Sequence, residues 1–141
     1  MDPKEVVINI NSIHDVRSGG GDRLNFMTDG IYSFDGKSGF IRYYESEVTG
    51  MPGTRTDMII NPDGIIVDRK GSVTSRMEFK EGLKTSFLYN TPYGTATLGM
   101  NTGTIRKTLD ENGCKVDIDY VISFEHAITI ENRFTLEVTG Q

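Results

Sequence analysis

The sequence predicts an all-β chain folded as a single antiparallel up-and-down β-barrel of about eight to ten strands. Three observations carry that expectation. Ile, Val and Thr number 14, 9 and 15, against only 6 Leu and 2 Ala. β-branched side chains lose rotamer freedom in helices and suit a pleated surface. Apolar and polar residues alternate with period two over long stretches, most clearly in 114–124. Finally, dipeptides that tolerate tight turns separate the alternating segments: Asp35-Gly36, Asp63-Gly64, Lys70-Gly71, Glu81-Gly82, Tyr93-Gly94 and Asn112-Gly113.

Strands are expected at 4–13, 23–35, 39–47, 54–61, 64–70, 73–80, 84–91, 95–108, 114–124 and 128–138. The 15–22 stretch, DVRSGGGD, reads as a loop. Its three glycines suggest a phosphate cradle only if a helix follows, and the residues from Arg23 onward alternate as a strand instead. Gly30 reads as a kink within one long strand rather than a turn. Segment 39–47 has two candidate inward faces, Phe40/Arg42/Tyr44 and Ile41/Tyr43/Glu45. In 114–124, Cys114, Val116, Ile118, Tyr120, Ile122 and Phe124 share the apolar face. Ile128, Ile130, Phe134, Leu136 and Val138 repeat the pattern, interrupted by Asn132, with a hairpin at Glu125–Ala127. Ten consecutive strands leave two sheet edges, and closure removes both. A two-sheet sandwich is the alternative, but its crossings call for longer connections than these turns offer. The 141 residues make one domain, 1–141, large enough for its own core.

A net charge of −5 without any Lys/Arg run argues against nucleic acid and anionic membrane as partners. No apolar run reaches the roughly 18–20 residues of a spanning helix. Cys114 stands alone, so neither an internal disulfide nor a zinc site follows from it. Residues 1–10 lack the features of a secretory signal, and a cytoplasmic protein is expected.

The runs Phe40–Gly50, Gly53-Thr-Arg-Thr56, Asp63-Gly64, Arg69-Lys-Gly71, Ser75-Arg-Met77-Glu-Phe79 and Thr91-Pro-Tyr-Gly94 together resemble the YwiB-like family of small bacterial β-barrels. So does the closing Asn132–Val138 segment. The family is catalogued as a domain of unknown function (DUF1934). The resemblance implies a calycin-type barrel, akin to lipocalins and streptavidin, from Gram-positive bacteria, and it implies no activity. The chain has no Trp, so the Gly-x-Trp signature of lipocalins is absent.

Residue chemistry points away from catalysis. His14 and His126 lie far apart in sequence and read as solvated or capping side chains. Cys114, on the apolar face, reads as inert core. Asp117 and Asp119, about 7 Å apart on one strand face, share the wet side. No cofactor, metal or catalytic residue is expected. Ligand-binding candidates are polar residues in phase with inward apolar ones: Thr54, Thr56, Arg69, Ser75, Tyr89 and Asn132. Tyr43 and Glu45 join them if that face of 39–47 turns inward, where Glu45 meets Arg69, since neither charge tolerates burial alone. Tyr93, on the 91–94 loop, is a further ligand-binding candidate. An apolar cup with a few hydrogen-bonding groups suits a small, partly apolar molecule. The alternative is a filled barrel that binds a protein through a strand edge or the 91–94 loop, with Tyr93 as anchor.

Overall fold

Alternation decides which way each strand faces, and the faces only match if the sheet curls. In a computed structural model describing residues 3–14, 22–124 and 128–140, the strands are β1 (Lys4–His14), β2 (Arg23–Phe34), β3 (Gly39–Tyr44), β4 (Thr54–Asn61) and β5 (Gly64–Gly71). They continue as β6 (Ser75–Phe79), β7 (Lys84–Thr91), β8 (Gly94–Asp110), β9 (Gly113–Phe124) and β10 (Ile128–Gly140). Each strand from β1 to β6, and from β7 to β10, pairs antiparallel with its sequence neighbours. β10 then returns to β1, with Ile10 opposite Leu136. The result is a ten-stranded, nearly closed up-and-down barrel. Its seam lies between β6 and β7, where a single bridge joins Thr74, just before β6, to Asn90 of β7. There Thr74 N–H donates to the Asn90 carbonyl at 2.9 Å, and Asn90 N–H returns the bond at 3.0 Å.

The inward face is the apolar phase of each strand. Val6, Ile8 and Ile10 of β1 meet Ile41, Met58, Ile60, Val116, Ile118 and Leu136 in one buried cluster. The two-faced strand settles with Ile41, Tyr43 and the following Glu45 buried, and with Arg42 outside. Register explains this choice. Arg42 lies opposite Asp57 and forms a forked pair with it, Nε to Oδ1 at 2.8 Å and Nη2 to Oδ2 at 3.1 Å. The strand stops at Tyr44, short of the expected residue 47, because Ser46 caps a 3-10 turn over Glu47–Thr49 that Gly50 ends with φ 75°. β6 is likewise shorter than expected, since Val73 and Thr74 belong to the turn before it.

Gly30 sits inside a continuous β2, opposite Val6 on one side and Tyr43 on the other. A Cβ there would lie 2.6 Å from the Arg42 carbonyl oxygen and against Ile8, so the position demands a bare backbone. In β8 the inward phase changes sign. Thr102 pairs with Tyr120 and Ile105 with Ile118, so three steps on β8 match two on β9. This bulge inserts one residue and moves the core phase from Met100 and Thr102 to Ile105 and Leu109.

One end of the barrel is filled. Tyr32 is fully buried there, and its hydroxyl donates to the Asp110 carbonyl at 2.7 Å, with the Gly113 carbonyl at 3.2 Å. Burial, and then the Cys114 and Asp110 charges, push the Tyr32 phenol well above its usual range. Lys4 Nζ donates to the Glu111 carbonyl across the same end. Cys114 lies in this packed half. Burial and then Asp110 push its thiol up to about 12, which makes it an inert hydrophobe at neutral pH. Two chain segments named above, the glycine-rich stretch 15–21 and the 125–127 connection with His126, lie outside the described residues.

Candidate functional site

The opposite end is a cup. Where β1, β3, β5, β7 and β9 end and β2, β4, β8 and β10 begin, the inward side chains leave a cavity of about 420 Å³. That is toward the small end of the roughly 300–1,000 Å³ typical of small-molecule sites. Its walls are mostly apolar: Ile10, Leu24, Phe26, Phe87, Leu98 and Ile122 all line it. The turn after β3 contributes Thr49, Gly50 and Met51 to the rim.

Two polar clusters interrupt this wall. The first is built on β3 and β5. Arg69 extends the inward phase of Ile65 and Val67, and Glu45 extends that of Ile41 and Tyr43. Arg69 Nε stands 3.6 Å from Glu45 Oε2, with the Glu45 side chain 1% exposed and that of Arg69 16%. Thr56, directly opposite Tyr43 on β4, donates its hydroxyl to the same carboxylate oxygen. Glu45 Oε1 and Arg69 Nε have no hydrogen-bond partner, while Arg69 Nη1 reaches the Met77 sulfur at 3.7 Å. Tyr43, Tyr120 and Tyr89 complete the guanidinium's surroundings. Burial and then the Glu45 charge hold the Tyr43 phenol protonated far above its usual range, Arg69 pulling the other way. Burial likewise raises Tyr120, again opposed by Arg69.

The second cluster spans β1 and β10. His14 and Asn132 are paired in register, and His14 Nδ1 lies 2.7 Å from Asn132 Oδ1. Asn132 Nδ2 donates to the Ile130 carbonyl at 3.2 Å, so Oδ1 is the end turned to the ring and the ring donates from Nδ1. That leaves Nε2 facing Ser12 Oγ at 3.3 Å.

Of the residues expected to bind a ligand, Tyr43, Glu45, Arg69, Tyr89 and Asn132 come together around the cavity. Thr54, Thr56, Ser75 and Tyr93 are not among its lining residues. Thr54 is buried, but its hydroxyl is 2.9 Å from Ser72 Oγ and accepts from Val73 N–H, so it seats the turn before β6. Thr56 stands behind Glu45 and fixes it. Ser75 is buried with its hydroxyl unpartnered. Tyr93 is fully exposed at the β7–β8 turn. His14 is exposed, in keeping with its reading as a solvated side chain, and its ring also contacts Asn132 and Ser12. Ser12 and Tyr120 were overlooked, although both continue inward phases visible in the sequence. Phe124, expected on the apolar face, is 38% exposed because β9 has reached the rim.

The wet face behaves as expected. Asp119 pairs with Arg133 Nε at 2.9 Å and Asp117 accepts from Thr135 at 2.7 Å, so both carboxylates serve cross-strand contacts. Among the described residues, no group of three or more His, Cys, Asp or Glu side chains is arranged to hold a metal.

Fold and cavity together define a small up-and-down β-barrel protein, packed at one end and cupped at the other. The chain belongs to the family described as a domain of unknown function (DUF1934), whose model matches residues 8–136. It is 27% identical over 97 residues to the uncharacterized β-barrel protein YwiB of Bacillus subtilis (strain 168), covering 69% of this chain and 67% of the relative. The crystal structure of the ywiB protein from Bacillus subtilis shares the fold with a TM-score of 0.86 at 21% identity, covering 99% of this chain and 93% of that one.

Proposed function

We propose that the protein is a non-enzymatic, calycin-like barrel that binds a small, partly apolar molecule in its open end. The observation that carries this reading is the 420 Å³ cavity, whose mostly apolar wall carries the partly exposed Arg69 guanidinium beside Tyr43, Tyr89 and Tyr120. A pocket that served packing alone would be filled by its own side chains, as the opposite end is. The Ser12–His14–Asn132 contacts suit ring orientation better than acyl transfer. β1 is paired to both β2 and β10 at Ser12, so backbone N–H groups beside it are committed to ladders and none is free to receive an oxyanion. Cytoplasmic residence goes with this reading, since the one cysteine is an unpaired, buried thiol.

Native mass spectrometry of protein purified from its own host tests the proposal. A mass above that of the bare chain, released on denaturation, is the expected result. Only bare chain, combined with no thermal shift across a small-molecule collection, removes it. A second reading has one observation in its favour: Tyr93 is wholly exposed on the 91–94 loop. A loop aromatic supplies much contact area for little entropy. Under that reading Tyr93→Ala loses a protein partner in pull-downs, and an unchanged partner list discards it.

A further inference from the structure

Resting on the reading of the cavity as a binding cup, we infer that its occupant is an uncharged amphiphile that turns a carbonyl-type acceptor toward Arg69, rather than a carboxylate. The argument is a count of buried charges. Arg69 is the cation on the cavity wall, and Glu45, on the same wall, pairs with it at 3.6 Å through a side chain only 1% exposed. Thr56 holds Glu45 from its far side, so the carboxylate neither reaches an occupant nor leaves when one enters. The charge of Arg69 is therefore already matched.

Its hydrogen-bonding capacity is not. Nε is buried against Glu45, but Nη1 has only a thioether sulfur as its acceptor, and the Arg69 side chain keeps 16% of its surface open. Tyr43, Tyr89 and Tyr120 give the guanidinium polar but uncharged company, and apart from the Ser12–His14–Asn132 cluster and Thr49 the wall is mostly hydrocarbon. An entering carboxylate would be the second anion beside one cation in a desolvated enclosure, and its dehydration would go uncompensated. A carbonyl oxygen accepts a charge-assisted bond from the same guanidinium at a far smaller desolvation cost. Besides these tyrosines, His14 also lines the cavity, its ring in contact with Asn132 and Ser12.

Three matched probes test the inference: octanamide, octanoate and octylammonium, titrated by NMR at about pH 8, above the ordinary histidine range. The wild type should bind octanamide at least roughly tenfold more tightly than either ion. Glu45→Gln removes the resident counter-charge while keeping an acceptor for Thr56, and should reverse the order of octanamide and octanoate. Octanoate or octylammonium binding the wild type as tightly as octanamide overturns the inference while leaving the cup intact. An unchanged order in a folded Glu45→Gln protein also overturns it. Should that variant not fold, the wild-type ranking alone decides. Failure of all three probes to bind the wild type overturns this inference, while the cup reading itself is decided by the native mass measurement above.

Discussion

Glu45 and Arg69 set how much charge the barrel interior tolerates. Each is buried enough that losing the other strands a desolvated ion. Glu45→Leu or Arg69→Met should each lower stability by about 3–5 kcal/mol in urea unfolding, and the double variant should recover most of that loss. Equal, additive losses would show that the pair is not coupled. Cys114 makes a second prediction at the same scale. Its folded-state pKa, raised to about 12, exceeds the roughly 8.5 of an unfolded cysteine. The unfolded chain therefore loses this proton first. The stabilisation is complete below about pH 8.5 and falls away as pH rises toward about 12. Cys114→Ala should flatten the stability decline between about pH 8.5 and 10, below the ordinary tyrosine range. An unchanged slope would mean that the thiol ionises as readily folded as unfolded.

Among the elements, the seam is the weak one. β6 and β7 follow each other in sequence yet are bridged only through Thr74, just before β6, and Asn90. Continuing that register would pair Arg76 with Leu88 and Glu78 with Ser86, and neither pair is formed. Hydrogen exchange of these four amides should be much faster than that of Ile8 or Leu136 in the β1–β10 ladder. Comparable protection would imply that the barrel zips fully shut in solution. At Gly30, where a Cβ would press on the Arg42 carbonyl, Gly30→Ala should cost about 1–3 kcal/mol by denaturant unfolding. A neutral effect would show that β2 and β3 can separate there freely.

These elements also show where the sequence was legible. Period two located all ten strands, since a half-buried strand must alternate. It could not orient 39–47, where both faces mix aromatic and charged residues. Register against β4, with Arg42 facing Asp57, made that choice. It blurred along β8, where one inserted residue reverses the phase midway.

For the whole molecule, alternation tells which side of the sheet a residue takes but not how deep it lies or what covers it. That is why Tyr43, Glu45, Arg69, Tyr89 and Asn132 could be named as a set, while Thr54, Thr56 and Ser75, equally in phase, fell outside the cavity lining. The irregular Thr49–Met51 rim has no period at all and left no trace to read. The question of an open or a filled barrel has a divided answer: Tyr32 closes one end, and the other holds the cavity.

The most direct measurement is methyl NMR of the intact protein during titration with octanamide. Side-chain methyls of Ile10, Leu24, Leu98 and Ile122, which line the cup, should shift and saturate together, while those of Ile60 and Ile65 in the packed interior stay still. Shifts confined to the exposed Leu88, or no shifts at saturating ligand, would contradict the account.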